Sequence, residues 1–325
     1  MHPEPSPATR TLDEAVSTFV RLRPRLFGIA YRVLGSATEA EDVVQDAWLR
    51  WDRTDRSVVV DPAAFLARTA TRLAINVAQS ARLRRETYLG PWLPEPLDTS
   101  ADPAVGAQRA EALELAVLLL LQKLGPTERA AYVLREAFDY PYAQIADILR
   151  LSVVNARQIV SRARKHLAAE QREPVGFAEH RRLLEAFIAA AQSGDVTSLE
   201  GLLASDAISY SDGNGIRGAA RVPVRGRARV AMLSSMIGKY LPNAAPRRVE
   251  VNGQAGVLLH QDDAPVVLMT FTASHEGIRQ VMWMMNPEKL AVFARSRHRS
   301  TEAVVPGHPD RSATGGHSSL GPRSS

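Results

Sequence analysis

Two stretches of this chain carry basic side chains at helical spacing. From 61 to 85, Arg68, Arg72, Asn76, Gln79 and Arg82 recur every three or four residues, and Arg84 and Arg85 follow. Guanidinium groups with an interposed amide suit a phosphate backbone plus a base edge, although a solvated helix face gives the same pattern. From Arg150 to Arg172, six basic residues stand against one acid, Glu170. The order there is a short helix over Tyr142–Leu149, a tight turn at Arg150-Leu151, and a longer basic helix that Ser152 would cap. That order is the helix-turn-helix layout. In the longer helix Ala156, Ile159, Val160, Ala163 and Leu167 point inward. Val154, Gln158, Ser161, Arg162 and Lys165 point outward, flanked by Asn155, Arg157 and Arg164. The first outward residues would meet base edges and the later cations phosphates. The bland alternative is a helical hairpin with a basic surface.

A third pattern lies at Thr38–Arg53. Ala40, Val43, Val44, Ala47, Trp48 and Trp51 make one apolar helix face. Asp42, Gln45, Asp46, Leu49, Arg50 and Arg53 lie opposite. This is either a solvated face or, because Leu49 stands among charges, a docking face for a partner helix.

In the last third of the chain, Asp206, Tyr210, Asp212, His260 and His275 are the side chains suited to general acid-base work. Such groups must converge on a pocket, and their spacing does not require that. Asp212 sits in a Ser-Asp-Gly-Asn-Gly string and reads as an Asp capping its own turn. The histidines read as strand-end surface residues, and the methionines of VMWMMN as core packing. Neither an HExxH motif nor a cysteine is present, so thiolate chemistry and disulfides are excluded.

The elements that must position these residues follow from punctuation. The chain has 325 residues, 45% hydrophobic and 23% charged, enough for two or three domains. The formal charge is only +5, so nucleic-acid binding would rest on local clusters. The longest apolar run, Leu115–Leu121, is far short of the ~20 residues that span a bilayer. The first ten residues hold three prolines and no apolar run, unlike a signal peptide, and the cytoplasm is the expected location. Residues 11–86 read as helices, with Phe65, Leu66, Thr69, Leu73 and Val77 as the buried stripe of the helix from 61 to 85. Residues 87–106, with four prolines, read as a linker, and 107–172 as helices again. From 176 to 295 an amphipathic helix (Phe177, Leu184, Phe187, Ile188, Ala191) and a second one at Val196–Leu203 lead into strands. Those strands are expected near Ala207–Ser211 and Ile216–Val224, then, after a helix from Gly226 to Leu241, in four alternating runs. Residues 296–325 read as a disordered tail.

The string AEDVVQDAWLRW (40–51) resembles the polymerase-binding helix of region 2 of sigma-70-type factors. LGPTERAAYVLREAFDYPYAQIADILRLSVVNARQIVSRARKHL (124–167) resembles region 4. WLPEP at Trp92–Pro96, DGNG at Asp212–Gly215 and NPEKL at Asn286–Leu290 resemble signatures of extracytoplasmic-function (ECF) sigma factors with a fused C-terminal SnoaL-like domain. The resemblance implies two all-α domains, a region 2 bundle and a region 4 helix-turn-helix, followed by an α+β SnoaL or NTF2-like cone. It implies that Asp42, Gln45, Asp46, Leu49 and Arg50 dock on the clamp coiled coil of core RNA polymerase. It gives Arg68, Arg72, Asn76, Arg82 and Arg84 to the −10 element, although many relatives carry an acid where Asn76 stands. It places capture of a flipped base near 54–60. Asn155, Arg157, Gln158, Ser161, Arg162, Arg164 and Lys165 would read the −35 element. Trp92, Leu93, Pro94, Glu95, Pro96, Asp212, Gly213, Asn286, Pro287 and Lys289 would carry interdomain regulation, with the last two motifs as loops facing the linker or region 2. Leaving Trp92 and Leu93 exposed would cost ~1.5–3 kcal/mol each, so they are expected to dock on a neighbouring domain.

The implied function is promoter-specific initiation without catalysis, cofactor, metal or membrane, restrained in cis and not by a separate anti-sigma protein. Two other classes stay open: a ligand-responsive helix-turn-helix regulator acting without polymerase, and a bifunctional protein whose C-terminal domain turns over a small molecule. The docking helix and the second arginine stripe do not fit the first of these.

Overall fold

The computed structural model describes residues 7–100, 114–168 and 173–302. Three helices, α1 (Pro7–Leu34), α2 (Ala37–Arg53) and α3 (Pro62–Glu86), form the first bundle. Gly35, at φ +70°, ends α1, and Ser36 then caps α2 by accepting from Glu39 N at 3.1 Å. Asp61 caps α3, and Pro62 occupies its first turn. The buried side of α3 differs from the expected one. Phe65, Thr69 and Val77 are only half-buried, whereas Ala67, Ala70, Ala74, Ala78 and Ala81 are buried with Leu66 and Leu73. Small side chains every three or four residues let the neighbouring backbones approach closely, and bulk-weighted periodicity misses such a ridge.

A second helical set comprises α4 (Leu115–Leu121), α5 (Pro126–Glu136), α6 (Tyr142–Leu149) and α7 (Val153–Ala168). Arg150 adopts the left-handed region (φ +55°) to end α6, and Ser152 Oγ accepts from Asn155 N at 3.1 Å to start α7. Ala156, Ile159, Val160, Ala163 and Leu167 are all buried, as the helix-turn-helix pattern requires. The two helical sets share one apolar core running from Ala15 to Leu167. Arg129 is buried within it. Its guanidinium donates to Leu121 O in the last turn of α4, to Leu124 O just beyond it and to Val33 O of α1.

The C-terminal unit has α8 (Phe177–Ser193), α9 (Val196–Leu202), β1 (Leu203–Asp212), β2 (Val224–Arg225), α10 (Arg227–Ser235) and α11 (Ile237–Tyr240). Four strands follow, β3 (Ala245–Val251), β4 (Gln254–Gln261), β5 (Ala264–Ser274) and β6 (Gly277–Met284), then α12 (Pro287–Glu302). The six-stranded sheet has the order β2-β1-β6-β5-β4-β3, with only β1 and β6 parallel. Two-residue turns at Asn252-Gly253 and Asp262-Asp263, each with both φ positive, match the twist of the strands they join. This α+β layout is that of the expected SnoaL-like cone.

Four expectations are corrected here. Ile216–Val224 is not a strand, because positive-φ Gly215 and Gly218 and then Pro223 interrupt it, and only Val224-Arg225 pairs with β1. Phe177 is exposed at the start of α8. Asn286–Leu290 is not a loop: Asn286 Oδ1 accepts from Glu288 N, and α12 starts there. That helix runs to Glu302, past the expected start of the tail, while 303–325 and the linker end 101–113 lie outside the described residues.

The sheet is buried on both faces. Val257, Leu259, Met269, Phe271, Val281 and Trp283 pack with α8–α10. Val249, Val251, Leu258, Leu268, Met282 and Met284 pack with Leu93 of the linker, Leu115 and Ala116 of α4, and Leu290 and Phe293 of α12. Burial on both sides accounts for the near-continuous apolar runs VVLMTF and VMWMM. Leu93 is fully buried in this outer layer. Leu93→Ala should cost about 2–5 kcal/mol in urea unfolding, whereas Val222→Ala, 68% exposed, should stay within about 0.5 kcal/mol. A loss at Leu93 below about 1 kcal/mol would contradict this packing.

Candidate functional site

The linker's polar groups converge on one carboxylate. Asp212, at the end of β1, is fully buried. Its Oδ1 accepts from the Tyr88 hydroxyl. Its Oδ2 accepts from Leu93 N at 2.8 Å and from Lys289 Nζ at 2.7 Å. Asp212 is therefore not a self-capping turn residue: it joins the linker to the first turn of α12. Lys289, also buried, donates a second hydrogen bond to Leu93 O. Asn286 Nδ2 donates to Tyr88 Oη at 2.9 Å. Burial pushes the Lys289 ammonium below its usual range, while Asp212 pulls it back. Burial, and then the bond to Asp212, push the Tyr88 phenol upward.

Two cations stand over the Trp92 ring. The Arg85 guanidinium stands 3.4 Å from the ring centroid and Lys289 Nζ 4.4 Å. Arg85 extends from the end of α3 and also donates to Leu34 O, at 2.8 Å, and to Gln122 Oε1. Burial lowers its pKa to about 10. Gln122 Oε1 accepts from Arg129 as well, so this cation–π cluster is wired to the helical core.

Glu95 reaches the start of α2, accepting from Ser36 Oγ at 2.9 Å and Thr38 N at 3.0 Å. A carboxylate at a helix N-terminus complements the helix dipole. Farther along, the linker pairs with the β3–β4 hairpin. Leu97 N donates to Asn252 Oδ1, Thr99 N to Glu250 O, and Asn252 Nδ2 to the Tyr31 hydroxyl, which donates to Glu95 O at 2.7 Å. WLPEP, DGNG and NPEKL thus meet in one seam, with Leu93, Pro94 and Pro96 buried and Gly213 packed on Ala219. Sequence reasoning missed Tyr31, Arg85, Tyr88, Gln122 and Asn252. Only the Asn252-Gly253 turn carried a local signal, and that signal was for the hairpin.

The other candidates lie elsewhere. Asp42, Gln45, Asp46, Leu49 and Arg50 are all exposed on α2. On α7, Arg157, Gln158, Ser161, Arg162, Arg164 and Lys165 are exposed and Asn155 is half-buried. Arg164 pairs with Glu136 at 2.7 Å. The α3 stripe is divided. Asn76 and Arg82 face solvent. Arg68 pairs with Asp147 at 2.6 Å, and Arg72 donates to Ile148 O (2.8 Å) and Asp147 O (3.1 Å) at the end of α6. Arg84 pairs with Glu39. In the loop at 54–60, Val58 and Val60 are exposed.

The acid-base candidates do not converge. Asp206 pairs with Arg279 on the surface, His275 is exposed, and Tyr210 packs on the outer sheet layer. His260 is buried and not a surface residue, because β4 lies between β3 and β5. A groove of about 650 Å³ opens between α8 and the β3–β4 edge, lined by Phe177, Arg181, Ile188, Arg248 and Val249 among others, and it holds none of the five. Among the described residues no helix is long and apolar enough to cross a membrane.

Comparisons with known proteins agree with this layout. The family described as sigma-70 region 2 matches residues 18–87, and sigma-70 region 4 matches 114–167. The ECF RNA polymerase sigma factor SigJ of Mycobacterium tuberculosis is 38% identical over 249 residues, which is 74% of this chain and 80% of that protein. The probable ECF sigma factor SigI of the same species is 34% identical over 184 residues, covering 54% of this chain and 62% of its own length. The crystal structure of M. tuberculosis SigJ superposes with a TM-score of 0.70 at 32% identity, covering 85% of this chain and 98% of that one.

Asp212→Asn leaves a buried ammonium without its carboxylate and should cost about 3–5 kcal/mol in denaturant unfolding. Adding Lys289→Met should recover most of that loss, since the charge that lacks a partner is then gone. Additive losses in the double variant would contradict the pairing.

Proposed function

The chain belongs to the ECF RNA polymerase sigma factors, and from that premise we propose how its parts divide the work of initiation. The exposed face of α2, Asp42, Gln45, Asp46, Leu49 and Arg50, engages the clamp coiled coil of core polymerase. The outward face of α7 reads the −35 element, with Asn155 and Gln158 nearest base edges and Arg162, Arg164 and Lys165 on phosphates. The α3 stripe of Arg68, Arg72, Asn76, Arg82 and Arg84 serves the −10 element. The observation that carries this reading is one chain that exposes both an acid-and-leucine helix face and a basic recognition helix.

The C-terminal unit regulates in cis. Its Asp212, Asn286 and Lys289 hold the linker through Tyr88, Trp92 and Leu93. Arg68 and Arg72 are meanwhile partly engaged by α6, Arg68 pairing with Asp147 and Arg72 donating to Ile148 O. The free chain is therefore held closed, and full use of the −10 stripe requires α3 and α6 to part. The restraint is built into the chain and calls for no separate anti-sigma protein. A role as a scaffold for the linker, not as an enzyme, is supported by Asp212, whose carboxylate is occupied by Tyr88, Leu93 N and Lys289. Action with polymerase places the protein in the cytoplasm.

The test is run-off transcription and pull-down with purified core polymerase. Asp46→Ala should weaken core capture while leaving unfolding unchanged, because the residue is exposed. Gln158→Ala should relax discrimination at one −35 base by about 1–3 kcal/mol. Failure of the wild-type chain to capture core polymerase would overturn the assignment. Equal effects of Gln158→Ala on promoter and random DNA would overturn the division of roles on α7.

A further inference from the structure

Between Asp212 and Glu250 the chain has no acidic residue, yet it carries Arg217, Arg221, Arg225, Arg227 and Arg229 within thirteen positions. All five are exposed. Four other arginines of the same unit have carboxylate partners, Arg182 with Glu179, Arg247 with Asp263, Arg248 with Glu185 and Arg279 with Asp206, whereas Arg181 and Arg295 are exposed without one among the described residues. Among the described residues, no carboxylate lies within ion-pair distance of the five. Arg227 and Arg229 stand in the first turn of α10, which holds no acid. Cations there oppose the helix dipole. Nothing in the fold offsets this accumulation of like charge.

The patch also has an address. Leu89 packs on Gly215, and Gly90 lies against the backbone of Ala220 and Arg221, 3.6–3.7 Å from where its own Cβ would be. Gly90 is four residues beyond the end of α3 at Glu86. At about 3.6 Å per residue, the Arg221 backbone lies within roughly 20 Å of that end, about half a turn of duplex. Arg82 is exposed near the same end of α3. Guanidinium groups suit bidentate phosphate contacts.

We propose that Arg217, Arg221, Arg225, Arg227 and Arg229 form a sequence-independent DNA phosphate-binding surface on the C-terminal unit, continuing the promoter face of α3. The proposal rests on the sigma-factor reading for its choice of DNA. The C-terminal unit then restrains the linker in the free chain and adds backbone contacts once DNA is bound.

Salt dependence tests it, measured on the full chain with and without core polymerase. For Arg217, Arg221 and Arg225 replaced together by Gln, the slope of log affinity against log salt should fall by about 2–3, at about 0.9 per phosphate contact. Between 50 and 200 mM salt, wild type should then lose about 40-fold more affinity than the variant, equally on promoter and random duplex. The same three positions as Lys should keep the slope. An unchanged slope for the Gln variant overturns the proposal, as does a loss confined to one sequence. So does Arg-dependent binding to phosphatidylglycerol vesicles with an unaltered DNA slope, since Ile216 and Val222 would then mark a lipid surface. If wild type captures no core polymerase, the sigma-factor reading fails, while the slopes of the free chain still decide this surface.

Discussion

The arrangement depends on a buried carboxylate. Asp212 has its charge offset by Lys289 and its lone pairs filled by Tyr88 and Leu93 N. Removing such a charge from water costs several kcal/mol, and the cost is met only when linker, β1 and α12 are in place together. Each element alone would leave a buried group unsatisfied. The linker is thus a structural layer of the C-terminal unit, and Leu93 fills a sheet face that would otherwise be open.

Other contacts are weaker, and the difference has a consequence. The Arg68–Asp147 pair is about half exposed on both sides, where an ion pair is worth at most ~1 kcal/mol. The Arg72 bonds to α6 carbonyls are likewise open to solvent on one side. Of the polar ties between these segments, the single α3–α6 ion pair and the Arg72 bonds are the ones a modest binding energy suffices to break, whereas the linker seam and the shared apolar core are not. In the proposed account, polymerase and promoter reposition the recognition helices while the C-terminal unit keeps hold of the linker.

Much of the helical half was legible because it obeys local rules. Ser36, Asp61 and Ser152 cap as their positions suggest, and the inward face of α7 follows the 3.6-residue period. The alanine ridge of α3 escaped, since small residues signal packing only through what they allow to approach. The seam was legible as three strings but not as chemistry. Asp212 looked like a turn residue, because the partners that hold it come from 119 and 77 positions away. Tyr31 and Asn252, 221 positions apart, gave no sign of each other. His260 looked like a strand-end surface group and is buried because β4 is an inner strand.

In the proposed account the C-terminal unit fixes the two helical sets by holding the linker, and the chain is suited to a direct test because it has no cysteine. Spin labels at Ser80→Cys on α3 and Gln144→Cys on α6, both exposed positions, report the separation by double electron–electron resonance. The wild-type background should give one narrow distance distribution in the free chain. Trp92→Ala, which removes the ring that Arg85 and Lys289 stand over, should broaden it toward longer distances without loss of helix content. An equally narrow distribution at the same distance in the Trp92→Ala chain would contradict the claim.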